Sequence, residues 1–185
     1  KGVLTPHGGV VRLVSDPQFM VLDQTTRFLQ ASSIAFDAAT LEIWAPLLNG
    51  GTCVIYAHKQ IDIGLLNQSI IEHQINALWL TAGLFNEWSR DCEQATSLQW
   101  ILAGGDVLNP DAVMNVRHKL PTARLINGYG PTENTTFTCC YQVPALSQRP
   151  ESIAIGRPLA GDHIMILSPL DELVPFGAIG QLCVA

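Results

Sequence analysis

Apolar runs of two kinds alternate along the chain and predict strands and helices in turn. Short runs rich in β-branched and aromatic residues are typical of strands, whereas longer runs with helical spacing, opened by Pro or closed by Gly, are typical of helices. The predicted strands are residues 27–35, 52–57, 77–80, 98–103 and 123–126. The predicted helices are residues 6–14, 38–48, 65–74, 84–90 and 110–120, the first capped by Thr5 and the last by Asn109.

This order of elements predicts the α/β class, with a doubly wound, mainly parallel sheet and helices on both faces. Parallel neighbours need right-handed crossover connections, which the intervening helices supply. The strand runs are continuously apolar, as burial on both faces requires. On the helix over 38–48, helical spacing places Trp44 and Leu47 on the core face.

The pattern changes after residue 142. Pro and Gly punctuate short runs over 163–167 and 181–184, which predict antiparallel strands of another subdomain. We therefore expect an α/β subdomain over 1–142, incomplete at its N-terminus, and the truncated beginning of a second subdomain over 143–185. The chain opens without an initiator Met and ends inside a predicted strand, so we expect an excerpt of a larger protein.

Composition narrows the class of protein. Of the 185 residues 48% are hydrophobic and 14% charged, enough to build a substantial core. A net charge of -6 without Lys or Arg clusters argues against nucleic-acid binding. The five cysteines have no metal-binding spacing, and no secretory signal or membrane-spanning run is present, so we expect a soluble cytoplasmic protein with reduced thiols.

Candidate chemistry follows the predicted strands. In open α/β sheets, ligands bind at the carboxyl ends of the strands. Polar or Gly-rich residues follow four of the five strands, at Phe36-Asp37, 79–83, 104–106 and 127–133. These four loops should therefore converge on one edge and form a site.

The loop NGYGPTENTT, residues 127–136, has the groups that ATP and Mg²⁺ require. Its glycines allow the backbone to approach a phosphate, Tyr129 offers a ring face to adenine, and the Thr132 hydroxyl can bond a phosphate oxygen. Glu133 supplies a hard oxygen ligand and is better placed for a metal than Glu42 or Glu87. The alternative is a Gly/Pro turn with a partly buried Tyr.

Asp37 also has two interpretations. It can cap the helix that starts at Ala38, or it can be a carboxylate in a largely apolar pocket, where a cationic group would satisfy it. Both can hold at once.

Four motifs together resemble the central part of a nonribosomal peptide synthetase adenylation domain, within the adenylate-forming superfamily. The match runs over essentially the whole chain. The motifs are KGV with His7, resembling the end of the phosphate loop; FDAATLEIWAPLLNGG at 36–51, the substrate-pocket motif; NGYGPTE at 127–133, the ATP motif; and GQL at 180–182, the start of the barrel motif, where Gln181 replaces the usual Glu. The second subdomain is then the start of a β-barrel.

The resemblance implies formation of an aminoacyl adenylate from ATP and an amino acid, followed by transfer to the phosphopantetheine thiol of a carrier domain. Thr132 would bond the α-phosphate and Glu133 would bind Mg²⁺, which makes them the catalytic residues. The residues expected to bind ATP are Lys1, Gly105, Asp106, Asn127, Tyr129, Gly130 and Thr132.

The same resemblance implies an amino acid pocket in which Asp37 binds the α-ammonium. Its lining would be Asp37, Ala38, Leu41, Trp79, Leu102, Gly104, Gly128, Thr136 and Phe137. Gly104 and Gly128 would leave space between apolar walls, and no second charge is offered. Pockets of this kind resemble those associated with valine, with isoleucine or leucine next.

The resemblance further implies a carrier domain and a condensation domain as partners. Most of the phosphate loop, the ribose-binding acid and the C-terminal Lys lie outside the chain, so the excerpt alone should be nearly inactive. A different hypothesis is a transplanted specificity subdomain that binds substrate without catalysis. A third, a generic doubly wound nucleotide-binding domain, gives Asp37 no role and leaves the barrel-like tail unexplained.

Overall fold

The computed structural model describes residues 2–184 and has five α-helices, nine strands and one short 3₁₀ helix in that range. The helices are α1 His7–Val14, α2 Ala38–Leu48, α3 Ile63–Glu72, α4 Ala82–Trp88 and α5 Pro110–Lys119, and the 3₁₀ helix is Thr132–Asn134. The strands are β1 Arg27–Gln30, β2 Thr52–Ile55, β3 Ala77–Thr81, β4 Trp100–Gly104, β5 Arg124–Tyr129, β6 Cys139–Val143, β7 Arg157–Pro158, β8 Ile164–Leu167 and β9 Gln181–Val184.

Seven strands form one sheet in the order β2-β1-β3-β4-β5-β6-β7. The first five are parallel, and β6 and β7 are antiparallel to their neighbours. The predicted mainly parallel α/β sheet is therefore confirmed. The last two strands pair with each other in a separate antiparallel sheet. Because β7 belongs to the large sheet, that sheet continues beyond residue 143. The division of the chain into subdomains over 1–142 and 143–185 stays a prediction.

Alternate residues of the central strands face two separate hydrophobic cores. On one face, Leu78 and Leu80 of β3 pack with residues of α3, α4 and α5. On the other, Ala77 and Trp79 pack with residues of α1 and α2. Helices therefore cover both faces, which explains why β3 and β4 have no polar face.

Three helices begin at a residue whose side chain caps the first turn. The side chains of Asp62, Thr81 and Asn109 accept hydrogen bonds from the backbone N–H of Leu65, Leu84 and Asp111, respectively. Of these three capping residues, only Asn109 is predicted from the sequence. Helices α3 and α4 begin two residues earlier than the sequence predicts. Within residues 2–184, no helix is long and apolar enough to cross a membrane.

Several predictions are wrong in detail. The cap of α1 is Pro6 rather than Thr5. Trp44 and Leu47 are 44% and 52% exposed, so they lie outside both cores of the described chain. The strand β2 is only partly buried because it forms the edge of the sheet.

The first strand ends at Gln30, five residues before its predicted end, because Ser32 bonds to a buried carboxylate. Glu42 of α2 is fully buried, and it accepts the Ser32 N–H at 2.9 Å and the Ser32 hydroxyl at 2.8 Å. The Ser32 N–H is thus taken by a side chain instead of a neighbouring strand. Burial raises the pKa of Glu42 to about 7, since desolvation outweighs the hydrogen bonds that favour the ionised form.

Replacing Glu42 by Gln should remove a pH-dependent part of the stability. The pKa in the folded state, about 7, lies above the ordinary value of 4.5, so the folded protein binds more protons than the unfolded chain between these pH values. Wild-type stability should therefore fall relative to Glu42→Gln as the pH rises from about 4.5 through about 7, by up to about 3 kcal/mol.

Urea unfolding of the complete domain containing this chain, at pH 5 and pH 8, measures this difference. Glu87→Gln is the matched control, because Glu87 is an exposed carboxylate on a helix. An equal pH dependence of Glu42→Gln and wild type would contradict the assignment.

Candidate active site

The candidate site lies at the carboxyl ends of the parallel strands. Because β1, β3, β4 and β5 run in the same direction, the loops that follow them meet at one edge of the sheet. The register places Trp79 beside Leu102, and Gly104 beside Gly128. The predicted convergence of four loops is thus what the sheet topology produces.

Five of the predicted substrate-pocket residues lie together on the sheet face covered by α1 and α2. They are all buried and belong to one hydrophobic cluster: Ala38, Leu41, Trp79, Leu102 and Phe137. The Phe137 ring centroid is 5.2 Å from that of Trp79, with the rings tilted, and 5.7 Å from that of Phe19, edge to face. Sequence reasoning missed Phe19, which lies in a loop without any motif.

Two glycines under these rings set how closely the aromatic side chains approach the sheet. A Cβ on Gly128 would lie 2.4 Å from a Phe137 ring carbon, and a Cβ on Gly104 would lie 2.0 Å from the Gly128 carbonyl oxygen and 2.9 Å from the Trp79 ring. The space above the glycines is therefore occupied by Trp79 and Phe137, and it is not the open space that the sequence predicts. Only glycine at these two positions allows the rings to lie this close to the sheet.

Asp37 lies directly before α2, whose residues Ala38 and Leu41 belong to this cluster. It occupies the N-cap position, but its side chain makes no capping hydrogen bond. Its backbone carbonyl accepts the Thr136 hydroxyl at 2.9 Å, which ties the start of α2 to the loop after β5. The Asp37 carboxylate therefore does not cap α2. The capping interpretation requires such a hydrogen bond and is not supported.

A cavity of about 360 Å³ lies beside the end of β5. Its lining contains five of the residues predicted to bind ATP: Gly105, Asp106, Asn127, Tyr129 and Gly130. Gly128 also lines it, and so do Val107, Ile153 and Ile155, which the sequence analysis missed. The Asn127 amide donates to the Ala154 carbonyl at 2.9 Å and so holds the segment with the two isoleucines over the cavity. No local motif marks these isoleucines.

The loop between β5 and β6 doubles back on itself. The Thr138 N–H donates to the Tyr129 carbonyl at 2.8 Å, closing the loop at its base. A Cβ on Gly130 would lie 2.6 Å from the Thr138 nitrogen and 2.7 Å from the Thr136 carbonyl oxygen, so this position requires glycine. The loop's tip is the 3₁₀ helix, where Thr132 and Glu133 are exposed.

The donor set at the loop tip fits Mg²⁺ rather than a metal held by protein ligands alone. Within residues 2–184, no group of three or more His, Cys, Asp or Glu side chains could hold a metal ion. Mg²⁺ typically takes one or two carboxylates together with substrate phosphates and water, which a single exposed Glu133 can join. Lys1, expected to bind ATP, lies outside the described residues.

The return half of the loop is conformationally strained. Thr135 and Thr136 have φ values of 53° and 69°, in the left-handed region that β-branched residues avoid. Each such residue costs on the order of 1–3 kcal/mol and persists only where surrounding contacts hold it. Both threonines are buried, and they lead directly into Phe137 of the apolar cluster.

The cysteines do not offer a catalytic thiolate near this loop. Burial raises the pKa of Cys139 and Cys140, which follow the loop, and raises the pKa of Cys92 in the core to about 11. A thiol with a raised pKa stays protonated at neutral pH and is a poor nucleophile.

Three comparisons place the chain among known proteins. The profile of the AMP-binding enzyme family matches residues 1–185. A linear gramicidin synthase from Brevibacillus parabrevis is 42% identical over 183 residues, 98% of this chain and 2% of that protein. Among solved structures, PA1221, an NRPS protein containing adenylation and PCP domains, matches with a TM-score of 0.88 and 39% identity over 95% of this chain and 36% of that chain.

A second solved structure is the Klebsiella oxytoca NpsA N-terminal subdomain in complex with 3-hydroxybenzoyl-AMSN, with a TM-score of 0.88 and 26% identity over 99% of this chain and 47% of that one. The chain therefore spans less than half of each of these relatives. The family profile covers the whole chain, and the synthetase relative and the PA1221 structure agree with it. The chain belongs to the AMP-binding enzyme family and is part of a nonribosomal peptide synthetase adenylation domain.

Proposed function

We propose that this chain binds the amino acid and the nucleotide of an adenylation reaction. The observation that carries the proposal is the position of the loop from Asn127 to Phe137 between a cavity and a buried apolar cluster. Its first residues line the cavity beside Gly105, and its last residues pack in the cluster beside Asp37. Gly128 lines the cavity and also lies under the Phe137 ring, which suits a site where two substrates must react with each other.

On the amino acid side, Asp37 binds the α-ammonium group. The rest of the pocket is apolar, so a positively charged group entering it needs this carboxylate as its partner. Thr136 holds the backbone of Asp37 in place through a hydrogen bond of 2.9 Å. This arrangement selects α-amino acids over acids that lack an amine.

The side chain of the substrate lies against the rings of Trp79 and Phe137. These rings fill the space above Gly104 and Gly128, and Leu41 and Leu102 pack in the same buried apolar cluster. A charged side chain would be unpaired there, and a large aromatic side chain would compete with Phe137 for space. We therefore propose valine as the substrate, with isoleucine or leucine next.

On the nucleotide side, Tyr129 stacks on adenine while Gly105, Asp106 and Asn127 line the base. The complex of the NpsA N-terminal subdomain with 3-hydroxybenzoyl-AMSN supports a ligand site in this fold. The recess beside Ile153 and Ile155 adds an apolar surface on which a planar ring can lie.

The reaction joins the two sites. A carboxylate oxygen of the amino acid attacks the α-phosphorus of ATP, the bond to the bridging oxygen breaks, and pyrophosphate leaves with the electron pair. The Thr132 hydroxyl donates to an α-phosphate oxygen, where negative charge builds in the transition state. Mg²⁺ bound through Glu133 would neutralise phosphate charge.

The phosphopantetheine thiol of a carrier domain then attacks the acyl carbon of the adenylate. The bond from that carbon to the phosphate oxygen breaks, AMP leaves with the electron pair, and a condensation domain uses the resulting thioester. The description of PA1221 as containing adenylation and PCP domains supports the carrier as a partner. Both partners, and an overall ligase activity, belong to the longer protein.

The choice of amino acid can be tested with the complete adenylation domain. We expect ATP/pyrophosphate exchange to be fastest with valine and slower with isoleucine and leucine, because one methylene changes binding by about 1–3 kcal/mol. A panel of amino acids at equal concentration measures this order. Exchange that favours Phe, Asp or Lys would overturn the predicted substrate.

Replacing Asp37 by Ala should reduce kcat/KM for valine by about 30-fold or more, because removing one partner of a buried charge pair costs about 2–5 kcal/mol. Pyrophosphate exchange over a range of valine concentrations provides the measurement. Asp91→Ala serves as the control, since Asp91 is an exposed carboxylate outside the site. Near-normal exchange by Asp37→Ala would rule out an ammonium-binding role.

Replacing Glu133 by Gln should lower kcat by about 100-fold, equivalent to about 2.7 kcal/mol of transition-state stabilisation. It should also move the Mg²⁺ concentration for half-maximal exchange upwards, because an amide is a weaker ligand than a carboxylate. Glu133→Asp, which keeps the charge, should retain more activity. An unchanged Mg²⁺ titration for Glu133→Gln would refute the metal assignment.

A further inference from the structure

Arg12 of α1 makes the contacts that hold the strained loop beside the amino acid pocket. Its guanidinium donates to the carbonyl oxygens of Asn134 at 2.6 Å, Thr135 at 3.4 Å and Phe137 at 3.1 Å. Three carbonyls within four residues thus converge on one side chain. The planar fork of an arginine suits such a set, whereas a lysine ammonium cannot reach all of them in the same geometry.

The guanidinium is itself held from the opposite side by Asp162. A carboxylate oxygen of Asp162 lies 2.5 Å from Arg12 Nη1, and the side chains of Asp162 and Arg12 are only 5% and 15% exposed, respectively. A nearly buried carboxylate without a cation would be strongly destabilised, so the pair is coupled. Asp162 lies in the segment between β7 and β8, so Arg12 connects the end of the large sheet to the pocket loop.

The face of α1 that carries Arg12 is shaped to fit this loop. Gly9, one helical turn before Arg12, faces Thr135 so closely that a Cβ there would lie 2.4 Å from the Thr135 hydroxyl oxygen. Any larger residue at this position would push the loop away from the helix. Two independent features of α1 therefore act on the same loop. Gly9 allows close packing against Thr135, and Arg12 donates hydrogen bonds to the loop carbonyls.

The held segment leads directly to the pocket. Thr136 and Phe137 have their backbone positions fixed next to the Arg12 contacts; the Thr136 hydroxyl bonds to the Asp37 carbonyl, and the Phe137 ring packs against Trp79. A shift of the loop would therefore move both the pocket wall and the residue proposed to bind the substrate amine. The nucleotide cavity is lined by the other half of the loop.

We propose that Arg12, held by Asp162, is a positioning residue that sets amino acid affinity and selectivity without touching the substrate. This inference rests on the proposed function, because it assigns the effect to the amino acid pocket of the adenylation reaction. Releasing the guanidinium lets Thr135 and Thr136 relax from the left-handed region. The pocket wall then loses its fixed position, while the cavity beside Gly105 is preserved.

The test compares Arg12→Lys, Arg12→Met and Asp162→Asn with wild type in the complete domain, by pyrophosphate exchange. We expect KM for valine to rise at least about tenfold in Arg12→Met, the change produced by about 1.4 kcal/mol. KM for ATP should change much less, and the preference for valine over leucine should shrink. Arg12→Lys and Asp162→Asn should also raise KM for valine more than KM for ATP, but by a smaller factor. These two variants provide the test if Arg12→Met does not fold.

The control is Arg124→Lys. Arg124 lies over the Trp100 ring at the amino ends of β4 and β5, at the end of the strands opposite to the candidate site. Equal rises of both KM values, or unchanged KM and selectivity in the folded variants, would overturn the positioning role. A wild-type domain without amino acid-dependent exchange would instead refute the proposed function, so the two failures are distinguishable.

Discussion

The reversal of the chain between β5 and β6 is the constraint on which the site depends. The sheet changes there from parallel to antiparallel pairing, and the connection stays at the edge where the other loops end. The reversal is possible because Gly130 lets residues 136–138 pack against the backbone. It also requires two threonines in left-handed conformation, and such strain persists only where other contacts outweigh it.

Other parts of the fold supply the contacts that hold the two threonines in this conformation. Helix α1 provides Gly9 and Arg12, and the segment after β7 provides Asp162. The loop then lies between the cavity and the apolar cluster, with Asn127 bonded to the segment over the cavity and Thr136 bonded to the start of α2 beside the cluster. Elements from both ends of the chain therefore determine the conformation of the loop of about ten residues between β5 and β6.

Local signals in the sequence predict much of this structure. The apolar runs predict the five parallel strands, Asn109 with Pro110 predicts the start of α5, and the strand order brings Asp37, Gly104 and Gly128 to one edge. Contacts between distant residues carry no such signal. Arg12 lies 125 residues from Phe137 in sequence, and the bond from Ser32 to the buried Glu42 carboxylate, which ends the first strand, joins residues of two different elements. The role of Ile153 and Ile155 likewise depends on a hydrogen bond from Asn127.

A crystal structure of the complete domain with a non-hydrolysable valyl adenylate analogue tests most directly whether one loop joins the proposed amino acid and nucleotide sites. We expect the ligand amine within about 3 Å of an Asp37 carboxylate oxygen, the isopropyl group against Trp79 and Phe137, and adenine beside Tyr129. A ligand whose amine lies beyond hydrogen-bonding distance of Asp37, with its side chain away from Phe137, would contradict it.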